Sequence, residues 1–232
     1  MRVLVVENYE NPSLGQVGAA ISEVGGEIDL CKPYLGDALP GDSRDHHALV
    51  VLGGGQNALA DQAYPYFPAL LDLIRDFEAR DRAVLGICLG SQLIARAFGG
   101  HNRIGGSTEF GWQEVSLTEE ASEDGVLNEL PERFPIFQWH DDTFSMPPDA
   151  VRLAASSVTG NQAFRIGRAT YGFQFHFEAD RPMVRQWSES FAELIARKQP
   201  GWAGRLEEEM AQHGSQADAA GLTIARAWVA TI

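Results

Sequence analysis

Cys88 stands between two glycines in the stretch Gly86-Ile87-Cys88-Leu89-Gly90-Ser91-Gln92. The apolar run Val84 to Ile87 before it reads as a short buried strand, and a helical pattern follows from Gln92 to Phe98. Glycine two positions before and two after a nucleophile marks a sharp strand-to-helix turn. Side chains at those positions would collide, and the bend lifts the nucleophile clear of the sheet. A helix starting just behind Cys88 would turn its N-terminal amides and partial positive charge toward the sulfur, a field suited to an anionic nucleophile. Such a sulfur needs a base and a group to orient the base. The stretch Tyr171-Gly172-Phe173-Gln174-Phe175-His176-Phe177-Glu178 offers both. Alternation from Gly172 to Phe177 reads as a strand, where residues two apart share a face, so His176 and Glu178 would point the same way. Cys88, His176 and Glu178 can act as nucleophile, base and orienter if the two strand ends meet.

With these residues in hand, the chain resembles the class I glutamine amidotransferases. The resemblance rests on Gly86-x-Cys88-x-Gly90-x-Gln92 and on Gln174-Phe175-His176-x-Glu178. Gly53-Gly54-Gly55 after a buried strand, Glu109-Phe110-Gly111-Trp112, and Phe137-Gln138-Trp139-His140-Asp141-Asp142 add to it. It runs from Arg2 to about Arg181 and looks most like stand-alone members without a fused synthetase, similar to the amidotransferase domain of GMP synthase or to γ-glutamyl peptidases. The resemblance implies a flavodoxin-like three-layer α/β sandwich with a mostly parallel central sheet and an antiparallel edge extension. It implies a Cys-His-Glu triad that forms a γ-glutamyl thioester on Cys88. Gln92 would hold the substrate's α-amino or carboxylate group, and the loop at Trp139 and His140 would line the glutamine pocket, partly by backbone. One departure is visible: such proteins usually carry proline between the His and the Glu, and this chain has Phe177.

Gly53-Gly54-Gly55 reads as an oxyanion hole, with one backbone N–H from this loop and one from Leu89. Fixed donors of this kind contribute roughly 3 kcal/mol each in acyl transfer. Gly54 is the favoured donor, with Gly55 left open there and as a contact to substrate. It is not a phosphate loop, because no Gly-Lys-Ser/Thr follows. Glu109 is a weaker site candidate. No Cys/His cluster has metal-ligand spacing, and no cofactor is expected. His46, His47 and His101 read as surface residues. Cys31 reads as core, and Trp187, Trp202 and Trp228 as packing on helix faces.

The elements that must position these groups follow from periodicity. Strands are expected at Arg2 to Glu7, Glu27 to Cys31, His47 to Leu52 and Val84 to Ile87, with helices over Gly15 to Val24 and Tyr66 to Arg80. That alternation implies a parallel sheet with helices on both sides. After Gly99-Gly100, shorter strands at 114–117, 134–139, 151–156, 163–166 and 170–175 imply an antiparallel layer at the sheet edge. Asp180 is an expected N-cap, with Pro182 in the first turn, for a helix to about Arg197. Two short helices, 202–213 and 219–232, close the chain. The expected organisation is an amidotransferase-like domain over residues 1–200 with a helical appendage, 201–232, packed on it. In open α/β sheets, ligands sit beyond the carboxyl ends of the strands. Cys88, Gly53 to Gly55 and His176 all fall there.

Bulk properties narrow the function. The chain has 232 residues, 44% of them hydrophobic, enough for a full core, and no membrane-length apolar run. Its formal net charge of −14 argues against nucleic acid and anionic membranes as partners. Glu7 interrupts the first apolar run, so the start reads as a core strand rather than a signal peptide. Cys31 and Cys88 read as thiols in a cytoplasmic protein, since a bridge would consume the nucleophile. The expected activity is Cys-dependent hydrolysis of a γ-glutamyl amide, either glutamine or a γ-glutamyl compound. No ATP motif is present, which leaves hydrolysis alone or delivery of ammonia to a separate synthetase subunit. A catalytically silent binding or stress protein on the same fold is the third reading. The expected partners are a small γ-glutamyl molecule and, left open, a synthetase subunit or a second copy of the chain.

Overall fold

The computed structural model describes residues 1–10 and 13–232. Its elements, in order, are β1 (Arg2–Val6), α1 (Gly15–Glu23), β2 (Glu27–Cys31), β3 (Ala48–Val51), α2 (Phe67–Ala79), β4 (Ala83–Ile87), α3 (Leu89–Ala97), β5 (Asn102–Arg103), β6 (Glu109–Leu117), β7 (Arg133–His140), β8 (Thr143–Phe144), β9 (Val151–Ala155), β10 (Ala163–Ile166), β11 (Thr170–Phe173), α4 (Arg181–Ser190), α5 (Ala192–Lys198), α6 (Trp202–Glu209) and α7 (Ser215–Val229). A nine-stranded sheet runs β2-β1-β3-β4-β11-β10-β9-β6-β7. From β2 to β11 neighbours are parallel; from β11 to β7 they are antiparallel.

The inner parallel strands β3, β4 and β11 and Val3–Val6 of β1 are buried because both faces are covered, whereas the edge strand β2 carries Glu27 and Asp29 and is mostly open to solvent. Val3, Val5, Val50 and Leu85 meet Val17 and Ile21 of α1 and Ile224 and Trp228 of α7. Leu4, Val6, Leu49 and Val84 point the other way, onto Phe67 and Ile74 of α2 and Leu93 and Ile94 of α3. One period-2 run thus feeds two cores and fixes three layers. The antiparallel half curls back on itself: the His176 amide, just past β11, donates to the Phe137 carbonyl of β7 at 2.8 Å, although three strands lie between them in the sheet. This curl brings the 139–142 loop over the carboxyl ends of β4 and β11.

Several expectations are corrected. Strand β11 stops at Phe173, where its neighbours run out at Ile87 and Ala163. His176 and Glu178 therefore lie on the following turn, not on a strand face. The alternation that suggested a strand came from Phe175 and Phe177, both fully buried beneath that turn. Strand β6 begins at Glu109 rather than 114, and the short ribbon of β5 with β8 was not foreseen. The expected helix from Asp180 is divided at Phe191 into α4 and α5. The terminal helices are joined without a break through a π-helical turn, Met210–Gly214. α7 packs against α1 and β7, with Trp228 fully buried. His46 is buried and pairs with Asp29 at 2.9 Å, whereas His47 and His101 are exposed as expected.

Candidate functional site

Cys88 has φ 51° and ψ −108°, one of two positive-φ residues other than glycine among the described residues. A side chain held there costs of order 1–3 kcal/mol and persists only where the surroundings enforce it. The enforcement is visible in the flanking glycines. A Cβ on Gly86 would lie 2.5 Å from the Gly90 carbonyl carbon, and one on Gly90 would strike the Val51 carbonyl of β3. Strand β4, helix α3 and strand β3 are in backbone contact through these two positions. The Cys88 amide donates to the Phe173 carbonyl at 2.8 Å, which sets the end of β4 level with the end of β11. Helix α3 starts at Leu89, closer to the cysteine than the 92–98 periodicity indicated.

The turn after β11 is tied down on every side. Gln16 donates its backbone N–H to the Glu178 carbonyl at 2.9 Å and its side-chain amide to the Phe177 carbonyl at 3.0 Å. Phe177 packs edge-on against Phe173, ring centroids 4.8 Å apart. Phe177 thus anchors the turn with a buried phenyl ring and a hydrogen-bonded carbonyl. The spacing of His176 and Glu178 is kept: Nδ1 of His176 and Oε1 of Glu178 are 2.7 Å apart, both residues buried. Burial alone would push the His176 imidazole down. The Glu178 carboxylate and the Cys88 sulfur, by charge and hydrogen bonding, outweigh burial and raise it to about 10. Trp187 of α4 stands edge-on to the imidazole at 5.1 Å and limits its water.

Cys88, His176 and Glu178 open on a cavity of about 600 Å³, within the range of small-molecule sites. The Gly53–Gly55 loop forms its wall above β3. A Cβ on Gly53 would lie 3.2 Å from the His176 ring and 3.4 Å from the Cys88 Cβ, and one on Gly54 would lie 3.1 Å from the Leu89 side chain. The Gly54 N–H finds no backbone acceptor among the described residues, and Leu89 N–H belongs to the unpaired first turn of α3. Arg96 of α3 holds the segment beyond the glycines by two 2.6 Å bonds to Asp61. Gln92 reaches the cavity while donating to Gln174 at 3.1 Å. The Trp139 carbonyl accepts from Cys88 Sγ at 3.7 Å. Gly55 and His140 also line the cavity.

The His140 ring is almost fully buried, and Nδ1 alone is hydrogen-bonded. Nδ1 lies 3.0 Å from the Asp142 carbonyl, which only accepts, so Nδ1 donates. Nε2 lies 3.2 Å from Glu109, and both side chains are almost fully buried. Glu109 also accepts from Gln162 at 2.6 Å. Its position in a network beneath the 139–142 loop gives Glu109 a place near the site without contact to the cavity. The residues that sequence reasoning missed include Tyr9, Gln56 and Tyr64 and a row on the arm formed by α4 and α5. Trp187, Phe191, Leu194 and Lys198 all line the cavity. Their spacing of four, three and four residues is a helical signal present in the sequence, of which only Trp187 is singled out there, as packing. Among the described residues no group of three or more His, Cys, Asp or Glu could hold a metal ion, and no helix is long and apolar enough to cross a membrane.

Comparison with known proteins places this geometry. A family model described as "Glutamine amidotransferase class-I" matches residues 37–184, a span that contains Cys88, His176 and Glu178. The chain is 32% identical over 181 residues to the glutamine amidotransferase-like protein YfeJ of Salmonella typhimurium, covering 77% of this chain and 76% of that one. It is 29% identical over 177 residues to one subunit of the glutamine-hydrolyzing GMP synthase of Methanospirillum hungatei, covering 75% of this chain and 85% of that one. Among solved structures, a glutamine amidotransferase of Thermotoga maritima superposes with a TM-score of 0.86 at 28% identity over 98% of both chains. One from Methylobacillus flagellatus gives 0.84 at 26% identity over 100% of this chain and 95% of that one.

Proposed function

The chain belongs to the class I glutamine amidotransferases, and from that premise we propose that it hydrolyses a γ-glutamyl amide through a thioester on Cys88. The observation that carries the reading is the hydrogen-bonded His176–Glu178 pair beside a cysteine held at positive φ between two backbone-packed glycines. In this reading the Cys88 sulfur attacks the γ-carbonyl carbon. The oxygen, now anionic, takes hydrogen bonds from the Gly54 and Leu89 amides. His176 gives its proton to the amide nitrogen, the C–N bond breaks, and ammonia or an amine leaves. Water then gives a proton to His176 as it attacks the thioester, the C–S bond breaks, and glutamate departs from the restored pair. Glu178 keeps the imidazole oriented and its cationic form stable. Gln92, Gly55 and the backbone of Trp139 hold the glutamyl head, and His140 acts through the loop that it anchors with Glu109.

The test is glutamate release from L-glutamine and γ-glutamyl peptides by the wild type beside Cys88→Ala. Release that the substitution abolishes supports the reading; equal release from both proteins refutes it. A second reading has its own support, the similarity to a GMP synthase component that extends over 85% of its length. It makes the chain a glutaminase that passes ammonia to a separate synthetase. Under it, glutamine turnover stays near zero until the synthetase is added.

A further inference from the structure

Ammonia leaving from glutamine needs no wall to hold it, yet the leaving-group side of the cavity has one. The amine must depart from the side of His176, because His176 carries its proton. On that side an unbroken aromatic series begins. Trp187 stands 5.1 Å from the His176 ring, Trp139 5.8 Å from Trp187, Phe191 5.6 Å from Trp139, and Tyr9 6.2 Å from Phe191. Three of the four, Trp139, Phe191 and Tyr9, are only part-buried and face the cavity. Leu194 extends the apolar face by one turn of α5, and Lys198 closes it by an ion pair with Asp141 of the opposite loop. A partly wetted aromatic wall of this kind gains stability when an apolar ligand covers it.

We infer that this wall is a leaving-group subsite for an apolar or aromatic amine, so that the preferred substrate is a γ-glutamyl conjugate of such an amine rather than glutamine. The inference rests on the roles proposed above for Cys88, His176 and Glu178. The step is the same: the C–N bond breaks as the S–C bond forms, the amine nitrogen takes the His176 proton, and water later releases glutamate.

The experiment compares kcat/KM for γ-glutamylphenethylamide, γ-glutamylethylamide and glutamine, with the full chain and Cys88→Ala as control. The phenethylamide is expected to exceed the ethylamide by about tenfold to a hundredfold, the factor for burying one phenyl ring. Phe191→Ala is expected to bring that ratio toward one, and Leu194→Glu, at a part-exposed position, does the same should the first variant fail to fold. A flat series with Cys88-dependent glutamine hydrolysis overturns the subsite and leaves the triad reading standing. No Cys88-dependent turnover of any of the three, in protein shown to be folded, overturns both.

Discussion

Replacing Glu178 by Gln removes one charge and little volume from the most consequential contact in the site. In the native protein, burial works against a charged His176, and the Glu178 carboxylate is the largest influence holding the imidazole up, at about 10 instead of 6.5. Each pH unit of that displacement corresponds to about 1.4 kcal/mol between the two protonation states. With the charge gone, burial dominates and His176 loses its proton at lower pH. The acid that protonates the leaving amine is then scarce above neutrality. The alkaline limb of the kcat/KM profile, expected near pH 10 in the wild type, should move down by more than three units, to below the ordinary 6.5, because burial, the largest single influence on His176, then prevails. At pH 8 the rate should fall by about 10²- to 10⁴-fold, the range typical for loss of general acid–base catalysis. Stability follows with a fixed sign. Because the folded-state value is raised, the contribution of His176 is fully present below about 6.5 and is lost as the pH rises through about 10. The stability gap between wild type and Glu178→Gln should therefore be widest at pH 6 and narrow toward pH 10. The assay is a pH–rate profile by glutamate release, paired with urea unfolding at both pH values. An unmoved alkaline limb in Glu178→Gln would refute the electrostatic argument.

Other perturbations test separate parts of the account. Gly90→Ala drives a methyl group into the Val51 carbonyl, so urea unfolding should show a loss of about 1–3 kcal/mol, and glutamate release should vanish as the elbow shifts. Phe177→Ala empties a fully buried site under the His176 turn; the expected loss is about 3–5 kcal/mol, and a loss below about 1 kcal/mol would show that the ring does not anchor the turn. Glu109→Gln weakens the buried support of His140 without touching the cavity, so KM should rise about tenfold while kcat changes little, a split visible in steady-state kinetics.

The parallel half of the fold and the pairing of His176 with Glu178 were legible because both are local. Apolar runs of four or five residues mark strands covered on two faces, and Gly86-x-Cys88-x-Gly90 marks a bend whose flanking positions have no room for a Cβ. The strand reading of His176 and Glu178 failed for a physical reason. Phe175 and Phe177 alternate because a turn buries them against Phe173, and period-2 burial does not require sheet hydrogen bonds. The buried state of His46 was hidden because its partner Asp29 lies 17 residues away on β2, a contact no local pattern reports. The packing reading of Trp187 fell short for the opposite reason. Trp187, Phe191, Leu194 and Lys198 carry a clear helical stripe, but a stripe looks the same whether it faces a core or a cavity. Only the curl of the antiparallel strands, which sets Trp139 opposite that stripe, decides between them.

The central claim is that Cys88 is the reactive nucleophile of a γ-glutamyl site. Its most direct test is alkylation of the whole chain by a γ-glutamyl chloroketone, read by peptide mass mapping. Cys31 is the internal control: it is buried and its thiol is pushed up to about 11 by burial and by Asp37 and Asp29. The account predicts a single adduct, on the peptide carrying Cys88, suppressed by excess γ-glutamyl substrate and slowed in His176→Ala. Equal labelling of Cys31 and Cys88, or none at Cys88 in folded protein, would contradict it.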